Sequence, residues 1–168
     1  EPPASAELDG EGAVEIIGGA AVLNGSDGSV RALGEHAASR GGDAGSTSFA
    51  ADLDGDGLQE VSTGNTVFTA DGETLWHNDF EDGYVAAADF DGDGQGEIVV
   101  TRDGQARLQD GDGSVIWEVV IDEDGASGPP CVADFDGDGE AEIGVSGEHH
   151  YTLLDTDGSV LWQRSCSA

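Results

Sequence analysis

Nine residues, Asp89-Phe90-Asp91-Gly92-Asp93-Gly94-Gln95-Gly96-Glu97, place carboxylates at positions 1, 3, 5 and 9 and glycines at positions 4 and 6. Carboxylates crowded into so short a segment repel one another strongly unless a cation sits between them. A hard divalent ion fits best. Calcium takes about six to eight oxygens at about 2.3–2.6 Å in flexible geometry, whereas magnesium demands a small octahedron and holds its waters. The glycine at position 6 permits the sharp turn that brings the backbone carbonyl of position 7, here Gln95, into such a shell.

The segment recurs. Residues 51–61 read ADLDGDGLQEV, residues 88–98 read ADFDGDGQGEI and residues 133–143 read ADFDGDGEAEI, with a worn copy, AELDGEGAVEI, at 6–16. Their first acids, Glu7, Asp52, Asp89 and Asp134, stand 45, 37 and 45 residues apart. An EF-hand opens with the same D-x-D-x-D-G but needs a bidentate Glu at position 12 and helices on both sides. Position 12 is Thr63, Val100 or Val145 in the intact copies, and the flanks lack helical periodicity. The spacing therefore excludes an EF-hand, and a dockerin-like site with it.

The elements that must position these loops are short strands. Glu97-Ile98-Val99-Val100 and Glu142-Ile143-Gly144-Val145 follow their loops directly and are rich in β-branched residues. Further along each unit comes a second motif: SDGSV from Ser26, ADGET from Ala70, GDGSV from Gly111 and TDGSV from Thr156. Asp-Gly between apolar segments predicts a hairpin with a two-residue type I′ turn. Leu75-Trp76, Ile116-Trp117 and Leu161-Trp162 follow it in three units, and Arg31-Ala32 in the first. In the third unit the strands fall over Ala86–Phe90, Glu97–Thr101, Ala106–Gln109 and Ser114–Val120. A four-stranded antiparallel meander of roughly forty residues describes a propeller blade. The chain is therefore expected to be an all-β propeller, its four blades at about 1–36, 46–80, 83–122 and 130–166. Leu8, Leu53, Phe90 and Phe135, at position 2 of each loop, are expected to pack blade on blade, as are the tryptophans. The linkers Gly34–Ser46 and Asp122–Pro130 are rich in small and polar residues and would project as variable loops.

The loop D-x-D-x-D-G-x-x-E followed by a strand resembles the calcium loops of FG-GAP (VCBS-type) repeats, found in the integrin α-subunit β-propeller and in many bacterial secreted proteins. The Phe-Gly and Gly-Ala-Pro signature is absent, so the likeness is to the calcium-loop subtype. It implies one metal shell of Asp52, Asp54, Asp56, Glu60 and the Leu58 carbonyl, and a second of Asp89, Asp91, Asp93, Glu97 and the Gln95 carbonyl. A third comprises Asp134, Asp136, Asp138, Glu142 and the Glu140 carbonyl. The first copy offers Glu7, Asp9, Glu11 and Glu15, and its longer side chains at positions 1 and 5 predict a weaker fourth calcium site. The resemblance also implies an extracellular, secreted setting and a binding or adhesion role toward a protein or carbohydrate ligand. Some pectin lyases resemble the sequence too, which makes the propeller of a polysaccharide lyase a second reading; a structural self-assembly domain is a third.

Composition narrows the partners. The 168 residues carry 36 Asp and Glu against 5 Lys and Arg, a formal net charge of −31, and every basic residue is an arginine. No basic patch can form, which argues against most nucleic-acid and anionic-membrane partners. No run of eighteen apolar residues predicts membrane insertion. The chain begins at Glu1 and has no Met, which predicts either a processed product or a part of something longer. Cys131 and Cys166 form one bridge in an oxidising compartment or stand as two thiols. No nucleophile elbow, phosphate loop or H-E-x-x-H occurs, and the histidines (His36, His77, His149, His150) are scattered, so no catalytic group is assigned. Four blades either close alone, belong to a larger ring, or pair as a homo-oligomer that completes one.

Overall fold

A computed structural model describes residues 3–35, 47–123, 125 and 127–165. Sixteen strands form four four-stranded antiparallel sheets, each a meander in chain order, and no helix occurs among the described residues. Blade 1 holds β1 (Ala4–Ala6), β2 (Glu15–Gly18), β3 (Ala21–Asn24) and β4 (Val30–Leu33). Blade 2 holds β5 (Phe49–Ala51), β6 (Glu60–Ser62), β7 (Thr66–Phe68) and β8 (Thr74–His77). Blade 3 holds β9 (Tyr84–Ala88), β10 (Glu97–Arg102), β11 (Gln105–Gln109) and β12 (Val115–Val120). Blade 4 holds β13 (Cys131–Ala133), β14 (Glu142–Ser146), β15 (His150–Leu154) and β16 (Val160–Ser165). The first strands β1, β5, β9 and β13 lie side by side in that order, as the inner strands of successive propeller blades do.

Register fixes the acidic loops. In every blade the position-9 glutamate opens the second strand and pairs with an alanine closing the first: Glu15 with Ala6, Glu60 with Ala51, Glu97 with Ala88 and Glu142 with Ala133. Each loop is thus the connection of an antiparallel pair, clamped at both ends by the ladder. The alternating strand directions put the acidic loops and the Asp-Gly turns at one end of the blades. The linkers and the second-to-third hairpins lie at the other end.

The Asp-Gly turns differ from expectation in type. Gly72, Gly113 and Gly158 have φ of 83°, 85° and 82°, but the aspartates before them do not enter the left-handed region. In blade 3 the Gly113 N–H donates to the Asp110 carbonyl at 2.9 Å and the register slips between Leu108 and Gln109. This is a type I turn followed by one left-handed residue and a bulge, so positive φ is needed once. Both N–H and hydroxyl of the following serine donate to the aspartate in blade 1 (Ser29 to Asp27, 2.9 and 2.7 Å), holding that carboxyl below its ordinary range. The two-residue turn with both φ positive occurs instead at Asp103-Gly104 (47° and 75°), between β10 and β11.

The core lies between blades. One apolar cluster joins blades 1 and 2 through Leu8, Ile17, Val22, Val61 and Phe68. A second joins blades 2 and 3 through Leu53, Val67, Ile98 and Val100, and a third joins blades 3 and 4 through Val99, Leu108, Ile143 and Leu154. Among the described residues no cluster joins blade 4 to blade 1. Position 2 follows the same logic. Leu8 and Leu53 are buried and Phe90 is half-buried against the next blade, but Phe135 is 51 % exposed, contrary to the expected packing role, with no further blade beyond blade 4 among the described residues.

Candidate metal centre

Each acidic loop is organised by its own backbone. In blade 2 the Gly55 and Gly57 N–H groups donate to the two oxygens of Asp52 (2.8 and 3.0 Å), Asp56 N–H donates to Asp54 (3.1 Å), and Leu58 N–H donates to Asp56 (2.8 Å). Blade 3 repeats this with Asp89, Asp91 and Asp93, and blade 4 with Asp134, Asp136 and Asp138. The glycines at positions 4 and 6 have φ from 77° to 99° in these loops, which an L side chain rarely adopts. That conformation turns successive N–H groups inward, so short aspartates can both cap them and converge.

The ninth position is buried. Glu15, Glu60, Glu97 and Glu142 are at most 4 % exposed. Each accepts the N–H of position 2 across the loop: Leu8 and Leu53 at 2.9 Å, Phe90 and Phe135 at 2.6 Å. Burying a carboxylate with so few donors is costly unless a cation or further donors face it. Burial pushes the Glu60 and Glu97 carboxyls above their ordinary range; the position-2 N–H opposes this and the surrounding aspartates add to it.

Carboxylate oxygens of Asp134, Asp136, Asp138 and Glu142 lie within 4.8 Å of one another. The same holds for Asp52, Asp54 and Glu60, for Asp89, Asp91 and Glu97, and for Glu7, Asp9 and Glu15. Two oxygens each about 2.4 Å from one calcium ion are separated by at most about 4.8 Å, so the donor sets fit that ion. Asp56, Asp93 and Glu11 fall outside their groups. Asp56 and Asp93 each have an oxygen turned to the N–H of position 7, and Asp93 also accepts Gln95 Nε2 at 3.1 Å. The carbonyl-bearing residues Leu58, Gln95 and Glu140 end that same turn. Neighbouring loops touch: Gly96 N–H of the third donates to the Leu53 carbonyl of the second at 3.2 Å.

The first loop has a protein cation. The Arg31 guanidinium pairs with Asp9 through Nη1 and with Asp71 through Nη2 at 3.1 Å. The hydrogen bond from Arg31 holds Asp9 below the ordinary carboxyl range. Among the described residues no other ion pair reaches a loop carboxylate. Arg31 lies outside the loop motif. Its one mark in the sequence is that it stands where the other blades have Leu75, Ile116 and Leu161.

The remaining expected groups fall elsewhere. Trp76 and Trp117 pack blade on blade, donating Nε1–H to the Gly111 and Thr156 carbonyls at 2.7 and 2.8 Å. His77 meets Thr66 (3.1 Å), while His149 N–H donates to Asp122 at 3.1 Å. No described histidine belongs to any of the four acidic-loop groups, and His36 lies outside the described residues. The Cys131–Cys166 pairing also lies outside them at Cys166; Cys131 is exposed, its thiol donating to the Gly144 carbonyl at 3.4 Å.

Comparison with known proteins places this geometry. Residues 89–145, from the third loop through the strand after the fourth, match the profile of the FG-GAP-like repeat. The V. cholerae biofilm matrix protein Bap1 is similar at 26 % identity and a TM-score of 0.73, over 97 % of this chain and 28 % of that one. Rhamnogalacturonan lyase YesW (19 %, TM-score 0.61) and the exotype rhamnogalacturonan lyase YesX (20 %, 0.63) share the fold over 95 % of this chain. The chain spans 41 % and 40 % of those two structures. No curated protein matches. Residues 89–145 are thus similar to an FG-GAP-like repeat, and the chain that carries them folds as propeller-like blades.

Proposed function

We propose that the chain is a calcium-stabilised propeller module of an extracellular protein, in which the metal rigidifies one end of the blades and the module binds a glycan or protein in an adhesive role. The observation that carries this reading is the repeated convergence of aspartates on a buried glutamate, most complete at Asp134, Asp136, Asp138 and Glu142. When bound, calcium would supply the positive charge the loops lack and screen the position-9 glutamate. The second, third and fourth loops would hold it. At the first, Arg31 already supplies a cation, so that site would be weakest. Similarity to a biofilm matrix protein supports the extracellular and adhesive parts.

The lyase reading needs cationic groups open to an anionic polymer. The arginines of blade 3 are engaged: Arg102 pairs with Glu81 and Asp103 at 2.9 and 3.1 Å, and Arg107 is buried with its guanidinium 5.1 Å above the Phe80 ring. Both adhesion and lysis are tested on rhamnogalacturonan and a neutral polysaccharide in calcium. Retention of labelled protein on either matrix, lost in EDTA, with no rise in unsaturated-uronide absorbance, is the expected result. Production of unsaturated uronide overturns the adhesive assignment.

A further inference from the structure

Blade 3 meets blade 2 differently from the other junctions. Phe68 of blade 2 and Leu154 of blade 4 sit just after the register slip of their third strands and face the preceding blade. Thr66 and Thr152, two residues earlier, share those faces. In blade 3 the same two positions hold Arg107 and Gln109, which are 7 % and 0 % exposed. The Gln109 amide donates to the Gly64 carbonyl at 2.7 Å and accepts Asn78 Nδ2 at 2.9 Å, so it closes the junction to blade 2 by itself. Arg107 adds Nε–H to Gln109 Oε1 at 3.0 Å and Nη2–H to the Glu81 carbonyl at 2.8 Å and the Gly64 carbonyl at 3.4 Å.

All of those acceptors are neutral. The chain has 36 acids for 5 arginines, yet among the described residues no carboxylate pairs with Arg107 and its Nη1 has no partner. Burying a cation with an unused donor is costly, and the other junctions do without one. Arg107 lines a cleft of about 240 Å³ at the linker end of the blades, away from the acidic loops. Phe80 lines it too, 43 % exposed, with the guanidinium 5.1 Å from its ring centre. The Phe80 backbone is pinned: its carbonyl accepts Asn65 Nδ2 at 3.0 Å and its N–H donates to Asn78 Oδ1 at 3.2 Å. Blades 1 and 4 flank this junction, so both walls belong to the chain's interior. The corresponding cleft between blades 3 and 4, around Asp122, His150 and Gln163, has neither an aromatic ring nor an arginine among its described lining residues.

We propose that this cleft binds one neutral sugar ring of a glycan, Arg107 Nη1 donating to one of its oxygens and Phe80 packing against its C–H face. The proposal rests on the glycan-binding, adhesive reading above and gives that reading a place. The size selects a single ring, since the volume falls below the roughly 300–1,000 Å³ of pockets for drug-sized ligands. Charge selects a neutral one. Asp79, Glu81, Asp103 and Glu118 line the cleft against Arg102 and Arg107, so an added carboxylate meets net repulsion. Sugar hydroxyls donate to carboxylates and accept from a guanidinium, so a polyol uses both sets of groups. An apolar side chain in the same place would leave Nη1 without an acceptor.

The test is an NMR titration of the isotope-labelled chain in calcium with methyl glycosides of neutral hexoses, deoxyhexoses and N-acetylhexosamines, and with galacturonate. At least one neutral glycoside should give saturating shifts at the Phe80 and Gln105 amides and at Arg107 Nε–H, with a dissociation constant on the order of millimolar and weaker binding of galacturonate. Arg107→Met should keep its melting midpoint within a few degrees, because Gln109 still holds Gly64 and Asn78, and should weaken binding on the order of tenfold. Phe80→Ala, at an exposed position, should weaken it similarly. No saturating shift in the cleft up to tens of millimolar overturns the proposal, as does tighter binding of galacturonate or wild-type affinity in either variant. A midpoint far below wild type in Arg107→Met would make Arg107 a brace and overturn its assignment as the sugar's donor. Retention on a polysaccharide matrix that survives both substitutions leaves the adhesive reading standing and overturns this cleft. Sugar shifts in the cleft without retention on any matrix support the cleft and count against adhesion.

Discussion

Chelation is expected to lower the melting temperature by about 15–30 °C. An ion that binds the folded state at a free concentration about a hundredfold above its dissociation constant adds about 2.7 kcal/mol, so three such loops add about 8 kcal/mol. For a domain of this size each kcal/mol moves the midpoint by about 2–4 °C. Extracellular calcium modules have dissociation constants on the order of 0.1–1 mM, so about 10 mM calcium reaches that regime at the tighter end. The effect is large because the loops carry dense negative charge that nothing else neutralises: among the described residues, only Asp9 of the loop acids has an arginine partner. Differential scanning calorimetry in calcium and in EDTA measures it. A midpoint that stays within a degree or two contradicts the calcium assignment.

Replacing Glu97 by glutamine is expected to act with opposite signs in the two conditions. The amide oxygen can still accept the Phe90 N–H now held at 2.6 Å, so the loop keeps its cross-brace. What goes is one buried negative charge. In EDTA that charge lies against Asp89, Asp91 and Asp93, which raise the Glu97 carboxyl further after burial has already done so, and removing it should raise the midpoint. In calcium the same change removes an anionic ligand, and losing that site costs about 2–3 kcal/mol, or about 5–10 °C. Glu97→Ala separates charge from bracing. It leaves the Phe90 N–H without its acceptor and should cost about 1–3 kcal/mol even in EDTA. Thermal melts of the two variants in both buffers read the crossing directly; a glutamine variant destabilised equally in both would show that Glu97 is only a brace.

The loops and the blade were legible because their causes are local. Carboxylates at positions 1, 3, 5 and 9 follow from Asx-type capping of inward N–H groups and from a glutamate at the head of a strand, both of which a nine-residue window contains. What was not legible depended on neighbours or on finer geometry. Asp112-Gly113 and Asp103-Gly104 are the same dipeptide, yet only the second has both residues left-handed, because the first hairpin absorbs a bulge at Leu108/Gln109. Phe135 carries the same motif as Phe90, but burial at that position depends on a neighbouring blade, and none lies beyond blade 4 among the described residues. Arg31 reaches Asp9 from the fourth strand of its blade, and no local pattern announces that approach. The aspartates at position 5 look equivalent in sequence, but only Asp138 converges with its group.

Isothermal titration of the chelator-stripped chain with calcium, with elemental analysis of the dialysed product, tests the metal assignment most directly. Three ions per chain are expected for the wild type, with a fourth gained in Arg31→Leu, where Asp9 is freed of its guanidinium partner. No heat of binding and no calcium in the dialysed protein at millimolar concentrations would contradict it.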